Sequence, residues 1–388
     1  MLLMIGHQKS EILYPMQFPE LTVFSYVVIG VFFLKLIYDL AVTTPIILHK
    51  IHKPKAYSPN VSVVICGRNE EENILEFLPQ ILNQDYPNFE VVFVNDRSID
   101  ESHLLLKALE QKHAHLKVTQ VKESELHWAG KKFALSIGLK SATNELVVLT
   151  DADCYPSSTK WLRTIVAQFS KERRVVLGYG AYKKGKGILN KLIRAEALMI
   201  CAQYLGYSKL GLPYMGVGRN LAYDRSLFFK NRGFASHQFI ASGDDDLFIN
   251  EVANSKNTEI VFSEDSYTIS NPESTFNSWV EQKRRHLTTS NRYNIKTILG
   301  LLFSSVIKYA FYILAIAILI QNPLWWIGAT VLLLNIISIL ILNYWLTKTT
   351  KSLDILIWIP FTEIFLLLFY PFLFIWNTLA SGNPWKNY

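Results

Sequence analysis

The sequence predicts an α/β domain with a mostly parallel sheet, flanked on both sides by transmembrane helices. Three observations carry that expectation. Half of the 388 residues are hydrophobic and only 18% are charged, leaner in charge than an ordinary soluble domain. The apolar residues crowd the two ends of the chain, so the mixed, charged middle reads as a water-soluble unit between membrane ends. Within that middle, short β-branched runs alternate with helical stretches, the pattern of strands joined by crossover helices.

An N-terminal segment, 1–20, precedes the first apolar stretch at 21–48, which Lys35 and Asp39 interrupt. About 20 apolar residues in a helix cross a bilayer core, so this stretch spans with some tilt. It is too long for a secretory signal, and no small-residue cleavage site follows it. The soluble domain is expected over 56–290. Val61-Ser-Val-Val-Ile-Cys66 is a near-continuous apolar run, as a strand buried on both faces requires. A helix with apolar Ile74, Leu75, Leu78 and Ile81 follows, then a strand from Phe89 to Val94 and a helix through Leu104 to Leu109. His115 to Thr119 reads as a strand, the segment around Phe133 to Leu139 as a helix, and Glu145 to Leu149 as a strand. Three more apolar runs, at 297–320, 323–346 and 355–379, are expected to be transmembrane helices. Four such runs clustered at the chain's two ends argue against core helices of one large soluble domain. Glu363 lies in the last of them, either as a functional group or as a helix-packing residue.

Charge placement sets the orientation. Lys50, Lys53 and Lys55 follow the first span, and Lys283, Arg284, Arg285, Arg292 and Lys296 precede the second. The linker Gln321-Asn-Pro323 carries no charge, whereas Lys348 and Lys351 sit in the next one. Positive loops stay in the cytoplasm, so the expectation is an integral membrane protein with a cytoplasmic central domain. The net charge of +7 is concentrated in flanks that would meet anionic membrane lipids, and no interleaved aromatic module points to nucleic acid. Cys66, Cys154 and Cys201 are far apart, show no metal-ligand spacing and suit a reduced compartment.

Ligands of open parallel sheets sit beyond the carboxyl ends of the strands. Those ends read Gly67-Arg68-Asn-Glu70, then Asn95-Asp96, then Thr150-Asp151-Ala-Asp153. No Gly-x-Gly-x-x-Gly turn or Walker loop is present, so dinucleotide and ATP readings lose their usual support. Asp151 and Asp153, after a buried strand, can share a hard divalent cation that bridges to substrate phosphates; turns also favour Asp for local hydrogen bonds. Asp96 can cap a turn, but Ser98 or Asp100 can fill that role and leave Asp96 facing a ligand. Lys131 or Lys132, after Trp128-Ala-Gly130, can neutralise a phosphate or simply be solvated. Gly243-Asp244-Asp245-Asp246-Leu247 is a second acidic cluster. Partly buried, it must hold at least one carboxyl with a raised pKa, which suits general-base work on a hydroxyl; solvated, it is an ordinary helix start. In Gln282-Lys-Arg-Arg285-His286, helical spacing puts Gln282, Arg285 and His286 on one face, with Trp279 extending it. Lys283 and Arg284 would form a membrane-proximal basic face.

Taken together, these pieces resemble the membrane-bound family 2 glycosyltransferases, including the cellulose- and hyaluronan-synthase-like enzymes. The resemblance rests on Val61–Glu71, Val94-Asn-Asp96, Gly130-Lys131, Asp151-Ala-Asp153, Gly243-Asp-Asp245 and Gln282-x-x-Arg285-His286, in that order. It implies a GT-A fold and inverting transfer from a nucleotide-diphosphate sugar, such as a UDP-sugar, to a glycan or lipid-linked acceptor. It further implies Asp96, Asp151, Lys131, Arg68 and Glu70 around the donor, Asp153 on Mg2+ or Mn2+, and Asp245 as the base. Asp244, Gln282, Arg285 and His286 would line the acceptor and diphosphate side. Two positions depart from the family pattern: His286 stands where Trp usually closes the Gln-x-x-Arg-Trp motif, and the loop Pro213–Asn220 lacks the Cys-Gly form of many polymerising members. A processive polymerase would need more than four spans, interfacial helices or a partner subunit; single-sugar transfer onto a lipid-linked acceptor would not. A catalytically silent membrane scaffold is the alternative from another class.

Overall fold

The computed structural model describes residues 22–53, 58–121, 131–240, 242–289, 292–320 and 324–379. The segment 1–20, Trp128-Ala-Gly130 and the uncharged linker 321–323 lie outside the described residues.

The chain enters through α1 (Val23–Ile47) and then builds a doubly wound sheet. β1 (Val61–Gly67), β2 (Phe89–Asp96), β3 (Leu116–Val121) and β4 (Leu146–Asp151) alternate with α2 (Glu71–Leu82), α3 (Ser102–Lys112) and α4 (Lys132–Ser141). A seven-stranded sheet has the order β3-β2-β1-β4-β8-β6-β9. β6 (Val175–Leu177), β8 (Leu221–Asp224) and β9 (Thr258–Ile260) extend it, and only β8 runs antiparallel to its neighbours. β5 (Cys154–Pro156), β10 (Thr268–Ser270) and β7 (Gly180–Tyr182) make a small second sheet.

Every residue of β1 is buried, as its unbroken apolar run requires of a strand covered on both faces. Its side chains alternate between two cores. Val63 and Ile65 pack with Phe93, Leu78 and Trp161 beneath α2 and α5 (Trp161–Val166). Val64 and Cys66 pack with Val92, Leu135 and Leu198 beneath α4 and α6 (Ile188–Lys209). The second core runs on into Val42 and Ile46 of α1 and Leu346 of α11 (Trp325–Thr349), so the sheet domain and the apolar helices share one interior. Gly206 of α6 lies so close to α1 that a Cβ there would clash with the Val42 carbonyl oxygen.

β2 and β3 lie to one side of β1 and β4 to the other. The order in which strands are added therefore switches sides between β1 and β4, which run parallel, and this opens a crevice at their carboxyl ends. Register places Asp151 opposite Cys66 and Asn95 opposite Gly67, so the strands end level with one another.

Among the described residues, α1, α10 (Ile295–Leu319), α11 and the stretch Leu353–Leu379, which ends in α12 (Ile359–Leu379), are the four helices long and apolar enough to cross a membrane. Their charges are matched internally: Lys35 bonds Asp39 at 2.8 Å and Glu363 at 3.2 Å, and Lys308 lies 3.4 Å from Glu363. Glu363 thus joins three helices.

Candidate active site

Asp151 is the last residue of β4, one position earlier than a turn after the strand would put it. Its carboxylate and that of Asp153, with the thiol of Cys154, offer ligand atoms all within 4.8 Å of one another. Burial and the neighbouring Asp151 charge push the Asp153 carboxyl above the usual range. A divalent cation would relieve that repulsion, and paired carboxylates suit a hard ion that also takes phosphate oxygens. Cys154 does not fit such an ion: its buried thiol is held well above the usual range and donates to Asp153 at 3.3 Å. The two carboxylates therefore fit Mg2+ or Mn2+, with Cys154 supporting Asp153.

The Lys131 ammonium bonds Asp151 Oδ1 and lies 3.9 Å from Asp244. Burial opposes its charge, but Asp151 and then Asp244 raise its pKa well above the ordinary value. Lys131 is thus the hinge between two acidic clusters far apart in sequence. Lys132 turns the other way: it is fully buried, with Nζ at 2.7 Å from His237 Nδ1 and donating to the Ile240 carbonyl at 2.9 Å. The choice left open between the two lysines falls on Lys131 because the first residue before α4 faces the crevice while the next faces the core.

The second cluster starts α8 (Asp246–Val252). Gly243 takes φ +92°, and a Cβ there would meet Leu247 at 2.6 Å, so the bend requires glycine. The three acids then separate in role. Asp246 is tied down by Thr289 at 2.5 Å and Tyr293 at 2.7 Å. Asp245 accepts from the Gly218 backbone at 2.7 Å and from its neighbour's N–H at 2.7 Å, the helix-start role. Burial, then the charges of Asp244 and Asp246, push its carboxyl up to about 8. Asp245 is thus the N-cap of α8, but part-buried and not solvated.

Asp96 ends β2 and is buried, but it is not free: Arg97, at φ +56°, grips it through two bonds of 2.7 and 3.0 Å. Neither Ser98 nor Asp100 caps α3 as its N-cap; Glu101 holds that position, while Asp100 accepts from the backbone of Ser102 at 3.1 Å and of Glu71 at 3.2 Å. Arg68 is exposed at the crevice rim. Glu70 accepts from Asn73 at 2.5 Å, and burial, with the charges of Asp153 and Asp151, raises its pKa.

α9 (Phe276–His286) carries the last motif with graded exposure. Gln282 and Arg285 are half-buried and His286 is exposed. Trp279 does not extend an acceptor-facing stripe. It is fully buried, stacked on Phe369 of α12 at 4.9 Å and 8° and bonded to Glu196 at 3.2 Å. The expected basic face is corrected as well: Lys283 is buried in a 2.7 Å ion pair with Glu196, and Arg284 bonds Asn377 at 2.7 Å. α12 packs on that side of α9 and replaces solvent there, a neighbour that helical spacing cannot reveal.

Sequence reasoning passed over Arg219. Its half-buried guanidinium holds the second sheet together through Ser270 Oγ at 2.5 Å and the Gly180 carbonyl at 3.0 Å, stacks on Tyr182 at 4.2 Å, and adds positive charge beside Asp153. It lies between Gly218, which Asp245 binds, and Asn220. The only signal was its place in the loop 213–220.

An α/β sheet with paired acids at its switch point, over a lysine and a second acid cluster, defines the GT-A class of sugar-transferring folds. A mannosyltransferase from Pyrobaculum calidifontis, solved with GDP-Man and Mn2+, shares this fold at 21% identity and a TM-score of 0.56, covering 89% of this chain and 98% of that one. Residues 62–231 match the model for Glycosyl transferase family 2. The chain carries a family 2 glycosyltransferase domain set among four helices able to span a membrane. A β-monoglucosyldiacylglycerol synthase from a Nostoc species is 29% identical over 167 residues, 40% of this chain and 34% of that protein. The amylovoran biosynthesis glycosyltransferase AmsB of Erwinia amylovora is 36% identical over 93 residues, 24% of this chain and 30% of that protein. These matches span about a third of each relative's length.

Proposed function

We propose that the protein transfers a sugar from a nucleoside-diphosphate donor to a lipid-linked or glycan acceptor at the cytoplasmic membrane surface, with inversion at the anomeric carbon. One observation carries this reading: Lys131 joins Asp151 to Asp244, the neighbour of Asp245, so the pair suited to a diphosphate's metal and the acid cluster suited to deprotonating an acceptor share one crevice. The names of the relatives, one acting on a lipid and one in polysaccharide synthesis, support both acceptor types. Four spans are few for shaping an exit channel, which favours single transfer.

Asp153, with Asp151, would hold Mg2+ or Mn2+, and the ion would neutralise charge on the departing diphosphate. Lys131 supplies a fixed positive charge beside that diphosphate. Asp245, protonated below about pH 8 in the free protein, takes the acceptor proton once ionised, as the hydroxyl attacks the anomeric carbon. Its two backbone N–H partners fix the carboxylate's orientation. Asp96 with Arg97, Glu70 and Arg68 surround the donor, and Gln282, Arg285 and His286 line the acceptor and diphosphate side.

A panel of radiolabelled nucleotide sugars, supplied to the membrane-bound protein with Mn2+ or Mg2+, tests the reading. A labelled single-sugar lipid is the expected product. No donor consumed under any metal would leave the silent scaffold standing.

A further inference from the structure

A cavity of about 270 Å³ opens where the spans meet the catalytic domain. α1, α10, α11 and α12 form its walls, and α6 of the catalytic domain forms its floor through Met199, Ile200 and Gln203. Its wall residues sit toward the catalytic-domain end of the spans: Thr43 is near the end of α1, Asn343 near the end of α11, and Ile359 opens α12.

The lining is not that of a lipid-filled gap. Asp39, Lys308 and Glu363 face it, and Lys35 behind them completes a set of two cations and two carboxylates paired at 2.8 to 3.4 Å. Those charges cancel inside the bundle. Thr43 and Ser304 also line the cavity, at 8% and 2% exposure. Neither hydroxyl makes a side-chain hydrogen bond among the described residues, whereas the adjacent Ser305 turns back to the Leu301 carbonyl at 3.0 Å. Both hydroxyls open onto the cavity instead of being sealed among protein atoms, and a polar group at membrane depth is stabilised by a partner.

We propose that this cavity binds the uncharged, hydroxyl-bearing head of a membrane lipid, a glycerol or a sugar, while its acyl chains run between the spans. Thr43 and Ser304 bond the lipid's oxygens, and Asp39 and Glu363 accept from its hydroxyls. A phosphate head finds no net positive charge here, because each lysine is already matched. The cavity also touches the transfer machinery. Gln203 on its floor accepts from Tyr214 at 3.3 Å, Tyr214 packs on Tyr293 at 5.7 Å, and Tyr293 bonds Asp246 beside Asp245. Tyr370 on its wall bonds Glu196 at 2.5 Å, the carboxylate that anchors Trp279 and Lys283 of α9. The inference deepens the proposed transfer, although only the lipid's role as acceptor rests on that reading.

The full chain in phosphatidylcholine nanodiscs is tested for retention of radiolabelled dioleoylglycerol, its monoglucosyl derivative and dioleoyl phosphatidic acid, without donor. The neutral lipids are expected to be retained and to displace each other, and phosphatidic acid is not. Ser304→Leu, which fills the cavity, abolishes retention, and the near-isosteric Thr43→Val weakens it several-fold. If Ser304→Leu does not fold, Ser304→Ala takes its place, with folding checked by thermal unfolding. Equal retention of phosphatidic acid, no retention of neutral lipid, or retention unchanged in folded variants overturns the proposal. If the bound lipid is the acceptor, the folded Ser304 variant stops transfer to dioleoylglycerol while donor hydrolysis continues; if it is a resident lipid, transfer to a soluble acceptor continues. Both outcomes keep the binding site. A protein that retains the lipid but consumes no donor would overturn the transfer reading alone.

Discussion

Asp245→Asn is the sharpest test of the proposed chemistry. The free carboxyl sits at about 8, so at pH 7 only about a tenth of the molecules hold the carboxylate that a base requires. For the parent, kcat/KM is therefore expected to rise about tenfold per pH unit below 8 and to level off above it, since this quantity reports the free protein. The limb of kcat shifts to lower pH, because a bound cation in the crevice favours the ionised form. Asparagine keeps the shape and one acceptor oxygen for the Gly218 or Asp246 N–H, loses the other bond, and removes repulsion from Asp244 and Asp246. Those effects oppose, so the unfolding temperature changes little near neutral pH. The stability sign follows from the raised pKa: the protonated form favours folding at low pH, and that contribution fades as pH rises from about 4 toward 8. Transfer should fall by about 10²–10⁴ and lose its pH limb, while nucleoside-diphosphate binding, measured by calorimetry, stays near the parent value. A flat parent profile between pH 6 and 8, or a variant as active as the parent, would refute Asp245 as the base.

Other outcomes follow from the same geometry. Asp153→Asn should abolish stimulation by added Mn2+ or Mg2+ in a donor-hydrolysis assay, and chelation of the parent should give the same residual rate. Lys131→Met leaves Asp151 and Asp244 without their shared cation; losing a charge-assisted contact is worth about 1.5–3 kcal/mol, so calorimetry should show the nucleoside diphosphate bound about ten- to a hundredfold more weakly. Trp279→Ala removes a fully buried ring from between α9 and α12, at a cost of about 3–5 kcal/mol in detergent unfolding. Lys283→Met strands the buried Glu196 carboxylate, costs about 3–5 kcal/mol, and should be partly rescued by a second change, Glu196→Gln.

The elements legible in the sequence were those whose cause is local. β1 reads as a buried strand because its apolar run has no period, and the four spans read as such because about 20 apolar residues in succession have few other uses. The acids at the strand ends were also visible, since strand ends in a parallel sheet share an edge. Two readings went astray for one reason. Lys283 was expected on a basic face and is buried against Glu196; Trp279 was expected on the acceptor stripe and packs on Phe369. In each case a neighbour decided where the side chain went.

The sequence by itself determined a sheet domain among apolar helices and the residue types needed for metal-assisted group transfer, because periodicity and composition act along the chain. Whether the two acidic clusters meet, which of Lys131 and Lys132 joins them, and which of three adjacent aspartates carries the raised pKa were decided only by the tertiary structure. Those properties depend on distances and burial between segments remote in sequence, where Coulomb and desolvation energies change over a few ångströms.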